Sequence, residues 1–203
     1  MLVLRSSPAS PFGRKVKIAA AILGLTERIE IVPADTNDAH DSLRLQNPLG
    51  KIPALVLEDG AVLYDSAVIL EYLDWLAGGG QIIPAAPGPR FSALTRQALA
   101  DGIADAALLQ VYETRFREPG QHVAKWLDHQ SGKVERGLKA LEAAPPETAA
   151  RDVGAIALAC ALGYLDLRFA GRWRAGYPRL AAWLAAFAAA VPAFEETRFS
   201  PPA

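Results

Sequence analysis

The chain of 203 residues has one cysteine, one methionine and three histidines, and each scarcity excludes something. A single cysteine, Cys160, supports neither a disulfide framework nor a thiolate zinc site. It stands in the apolar run "GAIALACALGYL", where a lone cysteine reads as packing. His40, His122 and His129 lack metal-ligand spacing and read as surface residues, so no metal is expected. Charge of one sign is missing too: 21 Lys and Arg face 22 Asp and Glu, which leaves neither a basic stripe for nucleic acid nor an acidic disordered block. That same apolar run, the longest, falls short of the roughly 20 residues a membrane span needs. Nothing at the start resembles a secretory signal, because Arg5 directly follows "MLVL". The triple glycine at 78–80 follows a helical pattern and not a strand, so it is no phosphate loop. A soluble, cytoplasmic protein without nucleic-acid or membrane partners is expected.

What is present is core-forming material, 51% apolar residues, enough for one large domain or two small ones. Residues 1–77 alternate strand and helix signals. "MLVL" reads as a buried strand and "RKVKIAAAILGL" as a helix buried through Val16, Ala19, Ala20 and Leu23, with Gly24 at its stop. "RIEIVP" reads as a second strand, and "ALVLEDGAVLYD" as a hairpin turning at Asp59–Gly60. "SAVILEYLDWLA" is a helix with apolar positions Val68, Ile69, Tyr72, Leu73 and Leu76. The order β-α-β-loop-β-β-α predicts a mixed four-stranded sheet whose first two strands are parallel. Gly78–Gly80 with Pro84, Pro87 and Pro89 mark a linker over 78–89. Residues 90–203 are expected to be all-helical, with helices over 91–118, 121–143, 152–168 and in "YPRLAAWLAAFAAAV". In the first of these, Leu94, Leu99, Ile103, Leu108 and Val111 are the candidate buried positions.

Three local features of the first half carry chemistry. In "SPFGRK", Ser10 is a preferred N-cap and Pro11 suits the first helical position; an ordinary cap and an anion-stabilising group are both open readings. In "NPLGKIPAL", Pro53 precedes a strand; it is either an edge proline in trans or a cis bond exposing the Ile52 backbone to a ligand. In "YDSAV", Asp65 and Ser66 open a helix, as a solvated cap or as acceptor and donor for an α-amino acid group. Asp101 and Asp105 lie four apart on one helical face, where like charges repel unless solvated or paired.

Taken as a set, S-P-F-x-R-K after a strand, N-P-x-G-K-[IV]-P-x-L, the hairpin and D-S resemble the glutathione transferase family over essentially the whole chain. "RDVGAIALACALGYLDLRF" resembles its buried core helix, and "FEETRFSPPA" the tail of a bacterial subgroup. The resemblance implies a thioredoxin-like N-terminal domain, an all-α C-terminal domain, glutathione as co-substrate and a homodimer. It places the thiol-activating residue at Ser10, with Phe12 beside it in the same motif, and the cis-proline at Pro53. Ile52 would pair its backbone with the cysteinyl part of glutathione, Lys51 or a polar neighbour would hold the glycine carboxylate, and Asp65 and Ser66 the γ-glutamyl group. Tyr112, Arg115 and Phe116 would wall an electrophilic, hydrophobic second substrate; in a dimer Asp101 and Asp105 would line the cleft between subunits, near a neighbour's glutathione amine. Two departures stand out. The family's core helix opens with Ser or Thr three residues before an Asp, but here Ala149 precedes Asp152, with Thr148 one place off. Ser6 and Ser7 also compete with Ser10 for the sulfur. The implied reaction is thiol activation for attack on an electrophile. Two alternatives are a non-catalytic glutathione-binding module that recruits a partner and a glutathione-dependent thiol–disulfide oxidoreductase. The latter wants a cysteine where Ser10 stands.

Overall fold

The alternation of short β-branched runs with amphipathic runs produces a sheet first and helices after. The computed structural model describes residues 1–200. Strand β1 (Leu2–Ser6) leads through helix α1 (Pro11–Ile22) to β2 (Ile29–Pro33), and β1 and β2 pair in parallel with Leu4 opposite Ile31. The strands β3 (Ala54–Val56) and β4 (Val62–Leu63) form the expected hairpin around Asp59–Gly60. β3 runs antiparallel to β1, giving the strand order β2-β1-β3-β4. The segment before β3, read from sequence as loop, contains one turn of helix, α2 (Leu43–Gln46). Helix α3 (Ser66–Leu76) closes the first half, with Ile69, Leu70 and Leu73 buried. Val68, expected on the buried side, is exposed, because Ser66, Ile69, Leu70 and Leu73 already define the face turned to the core.

Helices follow: α4 (Pro87–Phe116), α5 (Ala124–Ala143), α6 (Val153–Phe169), α7 (Pro178–Ala190) and the short α8 (Ala193–Glu196). Helix α4 starts inside the segment expected as linker. Pro87 occupies its first turn, where a proline's fixed φ suits the helix and its missing N–H removes no bond. The chain between α3 and α4 is held by Asp74, whose buried carboxylate accepts from the backbone N–H groups of Gly80, Gln81 and Ile82 at 2.8–2.9 Å.

The buried face of α4 is built mostly of alanines. Ala93, Gln97, Ala100, Ala104 and Ala107 recur at heptad spacing and face α6, while Leu99 is exposed. Of the expected positions Ile103 is buried and Leu94, Leu108 and Val111 pack partly buried against the core, but the leucine-based expectation omits the alanines, because alanine fits a helix–helix seam too narrow for leucine. Helix α6 is buried along most of its length and opens with Asp152 as N-cap, its Oδ1 accepting from Ala155 N–H at 2.9 Å. Asp152 also meets Arg96 of α4. Thr148 does not replace the missing Ser or Thr; its carbonyl accepts from Arg151 instead.

At the same seam, a Cβ on Gly154 would stand 2.6 Å from the Ala93 carbonyl oxygen and 2.8 Å from Arg96 Cβ. Gly154→Ala should therefore force α4 and α6 apart, at a cost of about 2 kcal/mol, and lower the thermal midpoint by roughly 4–8 °C in scanning calorimetry.

Candidate functional site

The start of α1 is built by its own sequence. Ser10 takes the extended N-cap conformation, and its Oγ accepts from Gly13 N–H at 3.1 Å. Arg14 N–H donates to the Ser10 carbonyl at 3.0 Å, and Pro11 has no N–H to offer. Among the described residues this leaves the Phe12 N–H as the unpartnered backbone donor of the first turn, beside the Ser10 O–H. Both belong to the positive end of a helix, where an anion is stabilised. The helix lies so close to β1 that a Cβ on Gly13 would overlap Ser6 Oγ. Ser6 is buried beneath it, its Oγ turned to the Ser7 carbonyl, whereas Ser7 and Ser10 line an open cleft of about 640 Å³.

The cleft runs between the α1 start and the second half of α4. Phe12, Lys51 and Ile52 line its first wall with Thr36 and Asn37. The second wall is a stripe of α4: Asp105, Leu108, Leu109, Tyr112, Arg115 and Phe116, at spacings of three and four that place them on one face. Tyr164 and Arg168 of α6 complete it. The structure thus brings together Ser10, Phe12, Lys51, Ile52, Asp105, Tyr112 and Arg115. Pro53 is buried behind Ile52 and does not line the cleft. Asp65 and Ser66 also stand outside its lining, at the N-terminus of α3, where Asp65 Oδ1 accepts from Ala67 N–H at 3.0 Å. The negative charge of Asp65 nevertheless reaches both Asp101 and Asp105. The peptide bonds Ile52–Pro53 and Tyr64–Asp65 are cis.

Two ionic networks position these walls. Lys15, next but one to Gly13, is only 1% exposed, and its Nζ reaches both carboxylate oxygens of Asp101 at 2.8 and 2.7 Å. The pair ties α1 to α4 one turn before Asp105. Burial pushes the Asp101 carboxyl up against the pull of Lys15. Asp105 is pushed up by partial burial and by the like charge of Asp101. On the opposite flank, Arg5 of β1 donates to Asp41 Oδ1, Ser42 Oγ, Gln46 Oε1 and the Pro33 carbonyl, fixing the segment that carries Thr36 and Asn37. Asp41 is held below the usual carboxylate range by the N–H groups of Leu43 and Asp35, with Arg5 adding to them. Buried Asn47 donates to the Lys51 carbonyl at 2.8 Å and accepts from Leu49 N–H at 3.0 Å, shaping the turn that presents Lys51 and Ile52.

A cleft with a hydroxyl donor at a helix start, flanking cations and one acid wall suits a ligand with a soft anion and charged ends. The chain is 35% identical, over 182 residues, to the uncharacterized GST-like protein YibF of Escherichia coli (strain K12), covering 87% of this chain and 89% of that one. It belongs to the glutathione S-transferase family. Residues 9–76 match the family's N-terminal domain and residues 124–186 its C-terminal domain. A glutathione transferase family member from Pseudomonas fluorescens Pf-5, solved with bound glutathione, is 44% identical and superposes with a TM-score of 0.92 over the whole of both chains. A transferase from Methylobacillus flagellatus KT with glutathione bound is 34% identical, with a TM-score of 0.89 over 98% of this chain and all of that one. The four-stranded mixed sheet followed by a mostly helical half is the family's fold.

Sequence reasoning missed Thr36, Asn37, Leu109, Tyr164 and Arg168 as cleft residues. Leu109 shares the α4 stripe with Asp105, Leu108 and Tyr112, so spacing on that helix was a usable signal. Tyr164 and Arg168 are hidden in a run that reads as core. Cys160 lies on the same helix, fully buried, and burial pushes its thiol up to about 12. Among the described residues no group of His, Cys, Asp or Glu is arranged to hold a metal ion, and no helix is long and apolar enough to cross a membrane.

Two outcomes follow from the ionic networks. Asp101→Asn strands the Lys15 ammonium and should cost about 3 kcal/mol in urea unfolding, while Lys15→Met combined with Asp101→Leu should recover much of that loss. For Asp41 the folded-state pKa lies below the unfolded one. Its contribution is therefore full above roughly pH 4 and is lost as pH falls through the depressed value. Asp41→Asn should flatten that acid limb of the stability curve.

Proposed function

We propose that the cleft binds glutathione and activates its thiol for attack on an electrophilic carbon of a second substrate. The observation that carries this is the Ser10 hydroxyl: its oxygen accepts from Gly13, so its proton is free to be donated to a sulfur anion, inside a cleft at a helix N-terminus. A hydroxyl can do both because donor and acceptor are different parts of the group. A hydrogen bond to the thiolate and the helix-end potential both favour the charged sulfur, which is the nucleophile. The proton leaves to solvent and Ser10 stays a donor throughout.

The remaining assignments rest on position. Ile52 would offer its backbone to the cysteinyl unit and Lys51 its ammonium to the glycine carboxylate. Ser66 and Asp65 would meet the γ-glutamyl end, with Asp105 close to the amine, whether of this subunit's ligand or of a neighbour's. Phe12 flanks the sulfur, and Leu108, Tyr112, Arg115 and Phe116 face the second substrate. The glutathione bound to the Pseudomonas relative favours the same ligand here. Exposed Val68 and Trp75, seven apart on α3, with exposed Phe91 on α4, make an apolar face suited to a two-fold dimer. We take the chain as a cytoplasmic homodimer of a glutathione-binding unit (1–77), a connection (78–89, its end drawn into α4) and a helical unit (90–203). The high pKa of Cys160 and the absence of cysteine at position 10 disfavour thiol–disulfide exchange.

Ser10→Ala should lower conjugation kcat/KM by about 10–100-fold and raise the pKa of bound glutathione by roughly 1–2 units, read from thiolate absorbance in the near ultraviolet. Unfolding should move by only about 1 kcal/mol for the lost cap. Wild-type protein that binds glutathione calorimetrically yet conjugates no electrophile in a panel would reduce the reading to a binding module.

A further inference from the structure

The far end of the cleft is charged in a way that an apolar acceptor does not require. Arg115 stands on the last turn of α4 and Arg168 near the end of α6, and both line the cleft. Among the described residues neither guanidinium pairs with a carboxylate. Arg168 Nε is buried without a hydrogen-bond partner. Each cation lies over a tyrosine of the same wall, Arg115 at 5.5 Å from the Tyr112 ring and Arg168 at 5.8 Å from the Tyr164 ring. Tyr112, Arg115, Tyr164 and Arg168 line the same cleft. The one acid of the cleft lining, Asp105, lies ten residues up α4 from Arg115, roughly 15 Å along the axis. The cleft therefore has a mixed end, where Asp105 and Lys51 act on each other, and a basic end, with Leu108 between Asp105 and Arg115 on the α4 wall.

Unpaired guanidiniums at the rim of an apolar wall are arranged to receive a planar anion. We propose that the second substrate is an electrophile carrying a carboxylate, separated from its reactive carbon by a short apolar or aromatic spacer, and that Arg115 and Arg168 bind that carboxylate. This rests on the glutathione reading above and specifies its other substrate. In the step, the glutathione sulfur forms a C–S bond to the electrophilic carbon and the bond to the leaving group breaks. The leaving group departs with the electron pair, and the thiol proton passes to water. The carboxylate takes no part in the bond changes; its ion pairs orient the carbon toward the sulfur at Ser10.

The test compares 4-chloro-3-nitrobenzoate with 4-chloro-3-nitrobenzamide, each rate divided by its spontaneous rate with glutathione. The wild type should favour the benzoate by about tenfold or more. Arg115→Gln and Arg168→Gln should each raise the benzoate KM by roughly tenfold and erode the preference, with the glutathione KM shifting less than twofold. Calorimetric binding of the two finished conjugates, which needs no turnover, should show the same preference and the same loss. Equal enhancement and equal binding of the two probes, or a preference that survives the double variant, overturns the proposal while leaving glutathione conjugation standing. A matching loss of glutathione affinity in the variants assigns the guanidiniums to glutathione's own carboxylates and also overturns it. Failure of the wild type to bind glutathione at all removes the underlying reading instead.

Discussion

The two walls of the cleft are joined where the buried Lys15 ammonium meets the Asp101 carboxylate. A lysine almost wholly removed from water needs a carboxylate at hydrogen-bonding distance, and Asp101 of α4 supplies it. Such a pair adds little net stability, since desolvating both ions offsets their attraction. Its influence lies in position: the pair fixes where α1 meets α4, with the Lys15 ammonium buried and the Asp101 carboxylate part-exposed. Ser10, five residues before Lys15, and Asp105, four after Asp101, are thereby held on opposing walls.

The neighbouring cation is used in another direction. Arg14 donates through Nε to Thr197 Oγ1 at 3.2 Å and through Nη2 to the Phe194 carbonyl, and its guanidinium lies 4.1 Å from the Phe194 ring centre. Consecutive residues of one helix thus hold two different elements, α4 and the segment around α8. Arg14, too, is largely buried and is held low by desolvation, which its carbonyl, hydroxyl and aromatic partners compensate.

Much of this was legible locally. The parallel pairing of the first two strands, the hairpin at Asp59–Gly60 and the cap at Ser10 follow from short-range rules, because connection type, turn chemistry and capping are properties of neighbouring residues. The position of Ser10 at a helix start needed only Ser-Pro before an amphipathic run. What was not legible depends on partners far apart in the chain. The match of Lys15 to Asp101 has no signature in either segment. The choice of alanines over Leu99 for the α4 seam depends on how closely α6 approaches, and that closeness depends on Gly154. Tyr164 and Arg168 were hidden because a helix buried nearly all round gives no periodic clue to its one open side.

The Arg14 contacts have a consequence for how the chain is made. Its carbonyl partner at Phe194 lies 180 residues further on. At about 5–20 residues per second, a ribosome adds that partner roughly 10–40 s after Arg14 itself. Through that interval the first helix carries a cation whose permanent surroundings have not been synthesised, so the sheet and its helices can assemble early but cannot seal. Completion of the first half is thus a late event of translation, and a nascent chain halted before residue 194 would leave the Arg14 guanidinium beside α6 without its carbonyl and aromatic partners.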